Sequence, residues 1–191
     1  MKSIIAASLL ALIGTSAAAP STLRFAKRDS PNGCPAGDPG QVGVINAIIA
    51  WNSDVVTVNG FLDSSVTVLS DPNQILSALQ TVLPAAQNEP TQLQVLACES
   101  DVLPGTAAQA AVDDLFGGFE SNVLVPLMNI MNGADDADTV NSNLHTINQF
   151  RCCNVLPDLD TLWTATAVDE GVADQVPLSA PRPNACSIIT C

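Results

Sequence analysis

The most reactive side chains in this sequence are six cysteines, Cys34, Cys98, Cys152, Cys153, Cys186 and Cys191, and a single histidine, His145. A serine or thiol nucleophile needs an imidazole beside it, so any such site would have to use His145. No G-x-S-x-G turn is present to expose a serine. Thiolate metal sites are equally poorly served, because no C-x-x-C pair occurs and one histidine does not complete a zinc set. An even number of cysteines in a secreted chain instead predicts three disulfides. Adjacent cysteines seldom bond to each other, which sends Cys152 and Cys153 to different segments. The expected pairing takes one of them to Cys98 and the other to Cys34, and closes Cys186 with Cys191 in a small loop.

The carboxylates give a similar answer. Asp135, Asp136 and Asp138 stand close together, but Thr139, Asn141 and Asn143 follow them, without the central glycine and terminal glutamate of a calcium loop. A helix N-terminus with Asp138 as its cap explains the group better. Acidic residues are numerous enough to supply a pair for glycoside hydrolysis, yet sugar clefts usually present aromatic faces, and Trp51 and Trp163 are the only tryptophans. No glycine-rich phosphate loop is present. The sequence therefore predicts no catalytic, cofactor-binding or metal-binding residue, and no enzyme.

Charge and the N-terminal segment say more about where the protein goes. With 19 acidic residues against 6 basic ones the formal charge is −13, which repels phosphates and argues against nucleic acid as a partner. Residues 1–19 read as a signal peptide: Lys2 supplies the positive start, residues 4–13 the apolar stretch, and Ala17, Ala18 and Ala19 the small residues before cleavage. Residues 20–28 read as a propeptide ending in the dibasic pair Lys27 and Arg28, which leaves residues 29–191 as one domain. All the carboxylates then remain, opposed only by Arg151 and Arg182, and no lysine is left. Such a charge keeps the protein soluble but strains the compact state, a strain that an acidic medium would relieve. No N-glycosylation sequon occurs, and no apolar run after the leader is long enough for a transmembrane segment. The expected location is secreted, in the extracellular medium or the cell wall.

The elements that must hold these residues are helical. An apolar fraction of 47% is too high for disorder. After a Pro/Gly-rich stretch at residues 31–40, Ile45, Ile48, Asn52, Val55, Asn59, Leu62, Val66 and Leu69 recur at spacings of three and four, one face of a helix. Asn52 and Asn59 on that face are expected to bond across the bundle and fix its register. Ser70, Asp71 and Pro72 announce a second helix through Ile75, Leu79 and Leu83, which Pro84 should kink or end, with Pro90 starting another through Leu93 and Leu96. A run from Thr106 to Phe116 should break at Gly117 and Gly118 before a segment from Phe119 to Met131. Two more helices are expected, one with Val140, Leu144, Ile147 and Phe150, the other over about residues 157–168. From about residue 171 the chain reads as an extended tail with three prolines, pinned by a disulfide. The fold class is all-α, a disulfide-stabilised helical bundle with an irregular C-terminal tail.

Three stretches, residues 50–56 (AWNSDVV), 58–63 (VNGFLD) and 88–93 (NEPTQL), resemble small secreted fungal proteins, the nearest group being the hydrophobic surface binding proteins and their cell-wall mannoprotein relatives. The similarity covers roughly residues 44–168 in pattern. It implies a helical, secreted protein without known catalysis that attaches to hydrophobic surfaces or captures a lipid between helices. Independently, a bundle of small aliphatic side chains can leave an apolar cavity between helices, and Met128 and Met131 would make its wall adaptable. The three expected disulfides and the long tail depart from that group and are similar to cysteine-containing fungal effectors. The alternative expectation is accordingly a secreted effector or elicitor that engages a host protein during infection.

Overall fold

The structure is a computed structural model that describes residues 37–68 and 71–191, the side chains of residues 66–68 excepted. Ala19, Lys27, Arg28 and Cys34, and with them the signal peptide, the dibasic site and one cysteine, lie outside the described residues, as do Leu69 and the side chain of Val66. The described chain is helical, without strands: α1 (Gly40–Val68), α2 (Pro72–Leu96), α3 (Ala107–Phe119), α4 (Val125–Asn132), α5 (Ala137–Phe150) and α6 (Leu156–Asp169). A five-residue π turn joins α3 to α4 (Glu120–Leu124) and another joins α5 to α6 (Arg151–Val155), so the six helices form four rods. Each π turn is followed, one residue on, by a proline, Pro126 or Pro157. A proline lacks the N–H that the carbonyl four residues earlier would accept, and the wider turn lets the helix continue past it.

The short link between α1 and α2 makes them antiparallel neighbours, and they share the most extensive helix contact in the molecule. On α1 the buried seam runs Val44, Ile48, Trp51, Val55, Val58 and Leu62 at alternating steps of four and three. It is rotated slightly from the expected line: Ile48, Val55, Asn59 and Leu62 are buried as expected, whereas Ile45 and Asn52 are half-buried. On α2 the seam runs Ile75, Leu79, Val82, Ala86, Glu89, Leu93 and Leu96.

That second seam corrects the expected break at Pro84 and restart at Pro90. Both prolines lie inside one continuous helix. An interior proline costs about 3 kcal/mol, and each fully buried large aliphatic side chain returns about 1.5–3 kcal/mol, so an apolar line unbroken on both sides of the prolines outweighs them. The N-terminus forms as expected: the Asp71 carboxylate accepts the Asn73 N–H, and Pro72 occupies the first turn, where no donor is needed.

Gly117 and Gly118 do not interrupt α3 either. A Cβ on Gly118 would run into the tip of the Phe150 ring, so this glycine lets the α5 rod close on the α3 rod. The start of α5 is capped by Asp136 rather than by Asp138. The Asp136 carboxylate accepts the Asp138 N–H and the Thr139 hydroxyl, and Asp138 falls in the first turn.

The tail follows the expected irregular course, with one short 3-10 turn at Asn184–Ser187. Its anchors are Val172 and Ala180 in the core, the Ala180 N–H on Asp160 at 2.7 Å, the Arg182–Asp160 ion pair and the Asn184 N–H on Asp63 at 2.7 Å. Two disulfides complete the attachment: Cys152–Cys186 and Cys153–Cys191. The expected Cys186–Cys191 loop is therefore wrong, as is the assignment of Cys152 and Cys153 to Cys98 and Cys34. The adjacent pair does reach two points, but both are in the tail, because the π turn presents both cysteines to the tail that crosses α1, α5 and α6. Cys98 is also disulfide-bonded.

Candidate functional site

Four features have chemistry in them: a buried polar network, a group of carboxylates where α2 and α6 end, a carboxyl pair between α3 and α6, and the outer face of α1. The network begins with Glu89, placed in the core by the α2 seam, and Arg151, the first residue of the second π turn; both are fully buried. Arg151 donates Nη1–H to Glu89 Oε1 at 2.8 Å and Nη2–H to Asn59 Oδ1 at 3.3 Å. Trp51 donates its indole N–H to Glu89 Oε2 at 3.0 Å, and Asn59 donates to the Pro181 carbonyl at 2.7 Å. Burial pushes the Glu89 carboxyl above the usual carboxylate range, while the Arg151 guanidinium and the Trp51 N–H pull it back. Both carboxylate oxygens receive donors, while Arg151 Nε and the Trp163 indole nitrogen are buried without a hydrogen-bond partner. Trp51 in turn meets Trp163 edge-to-face at 6.2 Å between ring centres. Both rings are buried and form no platform for a sugar. The network joins α1, α2, the second π turn and the tail, which is a structural role, and Asn59 makes the cross-bundle bonds expected of it.

Near the last turns of α2 and α6, Glu99 is only 2% exposed. Its Oε1 accepts the Ser100 N–H at 2.7 Å, and its Oε2 is enclosed without a hydrogen-bond partner. Carboxylate oxygens of Asp38, Glu99 and Glu170 lie within 4.8 Å of one another, and so do those of Glu99, Asp101 and Asp169. Asp101 Oδ1 is likewise buried and unpartnered, and the Ser100 hydroxyl donates to Asp169 Oδ2 at 3.1 Å. Burial pushes Glu99 up to about 7, and the charges of Asp38 and Glu170 push the same way. No spacing in the sequence relates residues 38, 99, 101, 169 and 170, so this group was invisible until the helices were assembled. Asp135 and Asp138 stand apart from this group, at the start of α5.

A separate carboxyl pair joins α3 to α6. Asp158 is pushed up to about 7 by burial and by Asp114 beside it, and Asn154 donates to Asp114 at 2.9 Å. An open cleft of about 490 Å³ lies nearby, lined by Thr106, Ala107, Ala108, Thr161, Thr164 and the carboxylates of Asp101 and Asp160. Asp160 is occupied by Arg182. His145 is exposed on α5. Met128 is half-buried and Met131 is 39% exposed, which places Met131 at the surface rather than on the wall of an interhelical cavity.

The outer face of α1 carries Val42, Ile49 and Val56, 71%, 50% and 53% exposed and seven residues apart. Between them the exposed positions are Asn46 and Ser53, so the stripe from Gln41 to Gly60 presents no charged side chain. α2 is likewise without exposed charge, Glu89 being buried, but its exposed positions are mostly polar, with Leu76 the one exposed large apolar side chain, whereas α1 repeats such side chains every seven residues.

No family model matches the chain, and neither a curated protein nor a solved structure matches it. Disulfides fit an oxidising, extracellular setting. Among the described residues no helix is long and apolar enough to cross a membrane.

Proposed function

We propose that this is a secreted, non-enzymatic fungal protein that acts at the cell surface or in the medium by attaching to hydrophobic surfaces, with the outer face of α1 as the contact. The observation that carries this reading is the seven-residue repeat of exposed Val42, Ile49 and Val56 on a helix face without charge. A stripe of this kind removes apolar area from water when it meets a hydrophobic surface, at about 25 cal/mol per Å², and no carboxylate has to be desolvated along it. The resemblance to hydrophobic surface binding proteins points the same way. The non-enzymatic part of this reading rests on the sequence, and two ionisable sites agree with it: Glu89 and Arg151 neutralise each other inside the core, and His145 stands apart on α5.

The test is adsorption of the secreted protein to a hydrophobic particle and to neutral phosphatidylcholine vesicles. The triple variant Val42→Ser, Ile49→Ser, Val56→Ser should retain its helical circular dichroism and adsorb at least tenfold less. Equal adsorption by both forms would remove this reading and leave the engagement of a host protein.

A further inference from the structure

We propose that the junction of α2 and α6 is a calcium site, in which Glu99 provides the central ligand and Asp38, Asp101, Asp169 and Glu170 complete an all-oxygen shell. Glu99 is the residue that calls for a cation. A carboxylate that is 98% removed from water, with one oxygen enclosed and unpartnered, is costly unless something positive meets that oxygen. The oxygens around it are other carboxylates, one of which, Asp101, also buries an unpartnered atom.

Among the described residues no lysine or arginine is available to these carboxylates: Arg151 is held by Glu89, Arg182 is held by Asp160, and lysine does not occur. The backbone makes the local charge more negative still. Glu99 follows the C-terminus of α2, and Asp169 and Glu170 end α6, where exposed carbonyls favour cations; neither helix has a basic residue in its last turn. Five acids beside two helix C-termini run against the usual charge preference, and a bound cation reverses the sign of that cost.

Geometry and donor type select the ion. Two ligands on one ion stand no further apart than twice the metal–oxygen distance, about 5 Å for calcium at 2.3–2.6 Å. In each carboxylate group the oxygens lie within 4.8 Å of one another, inside that reach. Magnesium keeps most of its waters and takes one or two carboxylates, fewer than are gathered here. Hard carboxylate oxygens without imidazole or thiolate also disfavour zinc and copper. Glu99 belongs to both carboxylate groups, so an ion held by its carboxylate draws ligands from the segment before α1, from the end of α2 and from the end of α6. Those three segments are far apart in sequence, and calcium would tie them together.

The experiment is isothermal titration calorimetry of the secreted, disulfide-intact protein, freed of metal by chelating resin, against calcium chloride and magnesium chloride. One calcium per chain is expected, with a dissociation constant of about 10⁻⁴–10⁻³ M as in extracellular modules, together with a rise in melting temperature on adding calcium. Glu99→Gln should weaken calcium binding at least tenfold. Asp169→Asn, an exposed position whose loss leaves the core intact, should weaken it at least fivefold and so keeps the test decisive if Glu99→Gln folds poorly. Asp135→Asn, on the far acidic group, should bind as the parent does. No calcium heat at 5 mM, unchanged binding in Asp169→Asn, or magnesium bound as tightly as calcium would each overturn the assignment.

Discussion

A charged residue inside an apolar seam is the strongest single constraint on this core, and it makes a sharp prediction. Replacing Glu89 by glutamine leaves the Arg151 guanidinium fully buried without its counter-charge and should cost about 3–5 kcal/mol in denaturant unfolding. Removing both charges, with Glu89→Leu and Arg151→Met, should recover much of that loss, because the desolvation cost of the pair disappears along with its attraction. Similar losses in single and double variants would mean that packing of the stems, and not the charge, carries the effect. Glu89 was legible in principle: it sits at the four-and-three spacing of Ile75, Leu79, Val82 and Ala86. Reading a helix end at Pro84 hid that spacing. The Glu99 carboxylate group was not legible at all, since only the folded arrangement of α2 and α6 relates its members.

At the scale of elements, local signals that act through the backbone were readable, while those that depend on a neighbour were not. Asp71 with Pro72, and the apolar spacing of Val140, Leu144 and Ile147, gave helices in the right places because caps and amphipathic faces are local properties. Pro84, Pro90 and the Gly117–Gly118 pair are helix breakers only when nothing packs against the helix, and here tertiary burial overrides them. Cysteine pairing failed for the same reason, since six cysteines allow 15 pairings and only the path of the tail selects among them. The glycine pair yields a contrast. Gly117 is exposed with open space where its Cβ would be, so Gly117→Ala should stabilise by up to about 1 kcal/mol from helix propensity alone. At Gly118 the added methyl meets the Phe150 ring, and overpacking of about 1–3 kcal/mol should cancel or exceed the same gain. Thermal melts of the two variants should therefore separate by several degrees, Gly117→Ala higher. Coincident melts would show that Phe150 swings aside without cost.

For the whole molecule, the balance of charge makes stability depend on pH in a direction opposite to ordinary acid denaturation. Burial holds Asp158 at about 7, with Asp114 beside it adding to the rise, and it also raises Asp54 and Glu89. A carboxyl raised in the folded state binds its proton more tightly there than in the unfolded chain. Its contribution is therefore fully present below the unfolded value of 3.8 for aspartate and is lost as pH rises through about 7. The Asp158 carboxyl is partly solvated, so screening reduces a shift that would otherwise be worth several kcal/mol to about 1–2 kcal/mol. Asp136 runs the other way: hydrogen bonds from Thr139 and from the Asp138 N–H lower it, and what they contribute is lost only as pH falls below the usual aspartate range. The two opposed trends place maximum stability on the acid side of neutrality, with a decline from about pH 5 to pH 8, in keeping with a chain that carries 19 acidic residues. Unfolding by denaturant across that interval, in the presence of a chelator, measures it directly. Asp158→Asn should flatten the decline and be the more stable form at pH 8, because an amide carries no charge to repel Asp114. A parent protein more stable at pH 8 than at pH 5, or an Asp158→Asn variant with an unchanged slope, would show that the α3–α6 carboxyl pair is too well solvated to hold a proton at neutrality.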